Sequence, residues 1–147
     1  MNVIVGSDHA GWPAKENIIR YLYSLGYEVF DVGSFDDKPV DFPDVARELC
    51  SKVLKNEAYR GIMICGTGVG ASIACNKQRD IRASVVHDIY TAHQCVEHDN
   101  VNVMCIGAQI IGQWLVKDLI RSFLEARFSV DKVYRRRVEK LAKLESL

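Results

Sequence analysis

The segment from Gly61 to Gly70, Gly-Ile-Met-Ile-Cys-Gly-Thr-Gly-Val-Gly, carries a thiol into a loop with glycine at every second position. The run Ile62-Met63-Ile64 is short, continuous and bounded by glycines, the pattern of a strand covered on both faces of a parallel sheet. Cys65 then falls at that strand's carboxyl end, where open α/β sheets bind their ligands. Gly66, Gly68 and Gly70 remove the Cβ atoms that would hold a ligand away from backbone N–H groups. The helical stretch that follows, around Ala71 to Cys75, aims its N-terminus at the same spot. A thiol so placed gains thiolate character and suits work as a base or nucleophile, with Thr67 close enough in sequence to steady it. The glycine spacing is neither the dinucleotide pattern nor a Walker loop, so a nucleotide site is not expected.

Two further groups carry chemistry. The first strand ends in Gly6-Ser7-Asp8-His9-Ala10-Gly11, which brings a carboxylate and an imidazole to the edge occupied by Cys65 if the two strands are neighbours. Asp8 also suits capping of the helix that starts near Pro13, and His9 a plain loop position; the nearby cysteine loop favours the functional reading. His98, within Glu97-His98-Asp99-Asn100, lies at a helix end beside polar residues and is an acid/base candidate, whereas His87 and His93 read as solvent-facing or structural. No metal is expected: His93 and His98 are five apart and share no helix face, and no Cys/His/carboxylate spacing fits zinc. A thiol base, a histidine acid and a glycine nest able to hold an enediolate's oxygens together imply proton abstraction beside a carbonyl.

These groups need a frame. Strand-like runs at Val3 to Val5, Glu28 to Val32, Ile62 to Cys65, Ala83 to Val86 and Val101 to Ile106 alternate with helical segments at about Pro13 to Leu25, Asp44 to Lys55, Val69 to Lys77, Ile89 to Glu97 and Gln113 to Ala126. The alternation predicts a doubly wound α/β fold, a three-layer αβα sandwich on a five-stranded parallel, Rossmann-like sheet. Asp131 to Leu147 reads as a C-terminal helix that packs on a neighbour, with Val133, Val138, Leu141 and Leu144 on a charged background. The 147 residues, 48% of them hydrophobic, fit a single domain over 1–147 with a core that needs no disulfide. Nineteen basic and nineteen acidic residues argue against nucleic acid or a membrane surface as partner. The five cysteines lack any Cys-x-x-Cys pair and suit reduced thiols, and with neither a leader nor a spanning segment visible a cytoplasmic location is expected.

Together these motifs resemble the type B ribose-5-phosphate isomerases and the related galactose-6-phosphate isomerase subunits. The resemblance covers nearly the whole chain. It rests on Gly6 to Gly11, on Val40-Asp41-Phe42-Pro43-Asp44, on Ile64-Cys65-Gly66-Thr67-Gly68-Val69-Gly70 with Ala74-Cys75-Asn76-Lys77, on Asp80-Ile81-Arg82-Ala83, and on His98 with Asn102-Val103. It implies an aldose-ketose isomerase with ribose 5-phosphate and ribulose 5-phosphate as the default pair. Cys65 would be the base, Thr67 its support and His98 the ring-opening acid. Asp8 would hold sugar hydroxyls, the Gly66, Gly68 and Gly70 loop the enediolate, and His9 with C-terminal arginines the phosphate. A homodimer or homotetramer with active sites shared between subunits is implied, and no cofactor or metal.

Four departures fall at the substrate's far end. Asp99 stands where the family usually has Asn directly after the histidine, with Asn100 next. Gln109 replaces an arginine, Phe42 a tyrosine, and Val130-Asp131-Lys132-Val133 the run Gly-Gly-Arg-His. Lys132, Arg136 and Arg137 are left to meet a phosphate, although such residues also suit a solvated helix face. The same chemistry on a tetrulose phosphate, a hexose 6-phosphate or a free sugar is the alternative, as is a non-catalytic subunit of a two-chain isomerase. A thiol redox role would need a resolving cysteine beside Cys65, and none is close in sequence.

Overall fold

In the computed structural model, which describes residues 1–56 and 59–147, strands and helices alternate in the expected order. They are β1 (Asn2–Ser7), α1 (Trp12–Ser24), β2 (Glu28–Asp31), α2 (Phe42–Val53), β3 (Arg60–Cys65), α3 (Val69–Asn76), β4 (Ala83–Val85), α4 (Ile89–Asp99), β5 (Val103–Gly107), α5 (Gln113–Glu125) and α6 (Lys132–Leu144). The five strands form one parallel sheet in the order β2-β1-β3-β5-β4.

Successive strand residues supply opposite faces of the sheet, as the pleat requires. Val3, Val5, Ile62, Ile64, Met104 and Ile106 pack with Ile18 and Leu22 of α1, Val96 of α4 and Leu119, Ile120 and Phe123 of α5. Ile4, Met63, Cys65, Val103 and Cys105 pack on the other side with Leu49, Cys50 and Val53 of α2 and with Ala71 and Cys75 of α3. Truncating a fully buried side chain such as Phe123 to alanine would cost about 3–5 kcal/mol. Because β1 is followed by a crossover to β2 on one face and β3 by a crossover toward β4 on the other, the loops after β1 and β3 part from each other. A crevice forms between them at this switch point.

Local chemistry sets the ends of the helices. Gly26, with φ +86°, follows the α1 C-cap Leu25, and the N–H of Tyr27 donates to the Leu22 carbonyl at 3.2 Å, closing the last turn. Helix α2 starts two residues earlier than the pattern predicts, because Pro43 sits in its first turn. Helix α4 runs two residues longer than predicted and ends on Asn100 in the left-handed conformation, so His98 and Asp99 form its last turn.

Helix α6 differs from the others in burying none of its residues; Leu141 and Leu144 stay 44% and 61% exposed. Its ends are nonetheless fixed. Tyr134 stacks on His98 of α4, and Glu145 accepts the Asp80 N–H at 3.0 Å.

Candidate active site

Strands β1 and β3 are direct neighbours, with Ser7 in register with Ile64, so Asp8 and Cys65 leave the sheet side by side. The Asp8 N–H donates to the Ile64 carbonyl at 3.2 Å. The Asp8 carboxylate, 6% exposed, receives the Gly11 N–H at 2.9 Å, which folds the turn into α1. Helix α1 itself has Gly11 at its N-cap and takes no side-chain cap, so Asp8 folds the turn before the helix rather than capping it, and one carboxylate oxygen still has no partner among the hydrogen bonds of the described residues.

Cys65 is buried, and its Sγ receives the Gly68 N–H at 3.0 Å. Gly68 can aim its amide backwards because its φ is +83°, a conformation that favours glycine. Thr67 takes a different place from the one its sequence position suggests: it is exposed, and its Oγ1 receives the Val69 N–H at 3.4 Å. The loop is held from below by the β5–α5 turn. The Ala108 N–H donates to the Cys65 carbonyl at 2.8 Å and the Gln109 N–H to the Gly66 carbonyl at 3.1 Å. Gly107 comes so near that a Cβ there would stand 2.7 Å from the Thr67 backbone.

Side chains close the rim. A Cβ on Gly66 would meet Gln109 Oε1 at 3.3 Å, and one on Gly70 would meet the Phe42 ring at 2.7 Å, which locates both side chains against the loop. His9 is exposed, and its Nδ1 accepts the Val40 N–H at 3.2 Å, so the ring proton resides on Nε2 and faces outward as a donor. A cavity of about 700 Å³ lies between α1 and α5 and is lined by Ala10, Gln109, Ile64 and Ile106 among others. Cys65 packs with the other sheet face, so Ala10 and Gln109 stand between the thiol loop and this cavity.

A residue not singled out in the sequence supports this rim. Lys15 is 4% exposed, holds Asp31 at 2.7 Å and the Ser34 carbonyl, and lies 4.9 Å from the Phe35 ring centre. It thereby ties α1 to the segment that leads on to Val40 and Phe42. The signal was present: Lys15, Ile18 and Leu22 share one buried helix stripe, where a lysine requires a partner.

The remaining candidates lie elsewhere. Helix α4 leaves the carboxyl end of β4 and returns to the start of β5, where Val103 pairs with Gly61. His98, Asp99 and Asn100 therefore lie at the sheet's amino edge, and Gly61 to Cys65 alone spans roughly 13 Å of strand. His98 is half-buried, with Gln94 Nε2 at 2.8 Å from its Nδ1 and the Tyr134 ring stacked on it. The amide NH2 donates, so the imidazole proton lies on Nε2. Asp99 is exposed, and the Asn100 carbonyl accepts Arg82 Nε at 2.7 Å. Lys132, Arg136 and Arg137 are exposed on the first turns of α6, with the Arg137 guanidinium 5.9 Å from the Tyr134 ring centre. A single chain thus gathers Asp8, His9, Cys65, Thr67, the loop glycines and Gln109 at one edge, and His98 to Asn100 with the α6 cations at the other. Asn76 joins neither group: its amide pairs with both the N–H and the carbonyl of Ala83 at 2.8 Å, a structural role.

Comparison with known proteins shows the family. The family described as Ribose/Galactose Isomerase matches residues 3–141. Ribose-5-phosphate isomerase B of Escherichia coli (strain K12) is 35% identical over 143 residues, covering 97% of this chain and 95% of that one. Galactose-6-phosphate isomerase subunit LacB of Clostridium acetobutylicum is 38% identical over 132 residues, covering 90% and 76%. The solved structure of Clostridium thermocellum ribose-5-phosphate isomerase B superposes with a TM-score of 0.93 at 36% identity, covering 99% of this chain and 98% of that one. Among the described residues no helix is long and apolar enough to cross a membrane.

Proposed function

This chain belongs to the ribose/galactose isomerase family, and from that premise we propose that it interconverts a phosphorylated aldose and ketose, with ribose 5-phosphate and ribulose 5-phosphate as the pair. Cys65 is the base. Its thiolate takes the proton from C2 of the open-chain aldose, the C–H electrons form the C1=C2 bond, and the carbonyl π electrons move to O1. The O2 hydroxyl passes its proton to O1, and the C1=C2 electrons take the first proton back from the Cys65 thiol at C1, which leaves the ketone at C2, a hydroxyl at C1 and the thiolate restored. The observation that carries this reading is the Gly68 N–H on Cys65 Sγ, beside the Asp8 turn at the sheet's switch point. It places a hydrogen-bonded sulfur where a sugar's hydroxyls can be held.

Asp8 keeps a carboxylate oxygen for sugar hydroxyls, and His9 Nε2–H offers a donor to the phosphate. His98 Nε2–H serves as the acid: it gives its proton to the ring oxygen as the C1–O ring bond breaks, the anomeric hydroxyl releases its proton to water as its O–H electrons form the C1 carbonyl, and the imidazole recovers a proton from water. Since His98, Asp99, Asn100, Lys132, Arg136 and Arg137 lie at the opposite edge from Cys65, a complete site takes them from a second copy, in a homodimer or a larger assembly of such pairs.

The test is an isomerisation assay over pentose, tetrose and hexose phosphates and their free sugars, with the wild type and Cys65→Ala. Turnover of ribose 5-phosphate that the variant lacks supports the reading. Turnover of another phosphorylated sugar keeps the chemistry and replaces the substrate. The absence of turnover on any of them by the folded protein refutes the enzyme reading and favours a non-catalytic subunit. One feature favours a changed substrate: Gln109, in place of the family's arginine, stands against Gly66 and offers a neutral amide where a fixed cation would be.

A further inference from the structure

We infer that His87 is a positioning residue that holds the Cys65 loop with the Gly68 N–H on the sulfur. His87 follows β4 and is half-buried, and its Nε2 accepts the Gly107 N–H at 3.0 Å. An imidazole nitrogen can accept only when it carries no proton, so His87 holds its ring proton on Nδ1. The Gly107 amide it fixes lies directly under the thiol loop. A Cβ on Gly68 would stand 3.3 Å from Gly107 N and 3.2 Å from the Ile106 carbonyl carbon, so the very peptide that His87 holds bounds the space beside Gly68. Gly68 in turn gives its own N–H to Cys65 Sγ. The next two amides of the same turn, Ala108 and Gln109, grip the Cys65 and Gly66 carbonyls.

The contacts form one unbroken series: His87 Nε2 to the Gly107 peptide, Gly107 to Gly68, and Gly68 N–H to the sulfur. Without the acceptor at His87, a buried Gly107 N–H has lost its partner, and the turn shifts to find another. Gly68 faces that peptide across a gap too narrow for a side chain, so a displaced peptide alters the space in which the Gly68 turn is held. The donor then leaves the sulfur.

The experiment reads the thiol itself. The full-length chain is alkylated with iodoacetamide near neutral pH, modification at Cys65 is followed by peptide mass, and ultraviolet thiolate absorbance is taken against Cys65→Ala. His87→Leu removes the acceptor, and Cys65 should alkylate about tenfold more slowly, with matching loss of thiolate absorbance. His87→Gln places an amide oxygen within reach of the Gly107 N–H and should restore both. Wild-type behaviour in His87→Leu overturns the proposal, as does a His87→Gln variant equally slowed, since that would mean ring packing alone matters. Should His87→Leu fail to fold, nitrogen NMR of the wild-type ring decides: a bare Nε2 supports the proposal and a protonated one overturns it. As a statement about catalysis the inference rests on Cys65 being the base. The alkylation readout does not, so the two can fail separately.

Discussion

The His98 imidazole lies flat on the Tyr134 ring, with centroids 4.0 Å apart and planes 11° from parallel, while Gln94 holds its Nδ1 from one helical turn earlier. Three elements of function meet in this contact. The stack fixes the plane of the imidazole, Gln94 fixes the nitrogen that carries its proton, and Tyr134 anchors the first two turns of α6, on which Lys132, Arg136 and Arg137 sit. Tyr134→Leu should lower stability by about 1 kcal/mol in urea unfolding, the worth of an aromatic pair. It should also slow turnover of a ring-closed sugar about fivefold through the lost orientation. Gln94→Leu should slow the same step without the stability loss. A substrate that is already open should be converted at nearly the wild-type rate by both, and equal slowing on open and closed sugars would count against His98 as the ring-opening acid.

Separation of the two half-sites makes a complementation experiment decisive. Cys65→Ser and His98→Asn should each be inactive alone, because each homodimer lacks the same half of both its sites. Unfolded together and refolded in equal amounts, half of the dimers are mixed, and each mixed dimer holds one intact site. The mixture should recover about a quarter of wild-type activity. No recovery, with mixed dimers present by native mass measurement, would mean that the two edges do not serve one site.

Most of the frame was legible because β3 and β5 are continuous apolar runs and α1 carries a proline at its start and a glycine past its end, signals confined to a few adjacent residues. The thiol edge was legible for the same reason: Cys65 follows such a run and precedes the glycines. What stayed hidden depends on contacts between distant positions. The amide that serves Cys65 Sγ comes from Gly68 rather than a hydroxyl from Thr67, a choice made by a left-handed backbone angle. His87 gives no local sign that its partner is a backbone amide twenty residues further on. Asn76 looks chemical within its motif, yet it serves Ala83.

The buried thiols give stability an alkaline limit. Cys95 is pushed up to about 11, chiefly by burial. Cys50 is raised by its contact with the Cys75 thiol and then by burial, and Cys75 by Cys105 and also by burial. A thiol raised in the folded state is neutral there, while the unfolded chain ionises at about 8.5. The contribution to stability is therefore complete below about pH 8.5 and is lost as pH rises toward the folded value. The urea midpoint should fall between about pH 8.5 and 11, and Cys95→Val should flatten that fall. A midpoint independent of alkaline pH would show that these thiols ionise alike in both states.

Gln109 offers the most direct test of substrate class. Its main-chain N–H is already committed to the Gly66 carbonyl at 3.1 Å, so only the side chain is free to change what the rim binds. It is exposed, and its amide already sits against the Cys65 loop. Gln109→Arg adds a planar cation at that point with no buried cost, since the residue faces water. If the substrate is phosphorylated and its phosphate lies near this rim, KM should fall about tenfold with kcat little changed, the signature of added uniform binding. A free sugar should gain nothing, because a hydroxyl recruits an arginine only weakly. A rise in KM for the phosphorylated substrate would mean that the rim holds the sugar's uncharged end, with the phosphate left to Lys132, Arg136 and Arg137 of the partner chain. The split between KM and kcat over the sugar panel thus reports which end of the substrate faces Gln109.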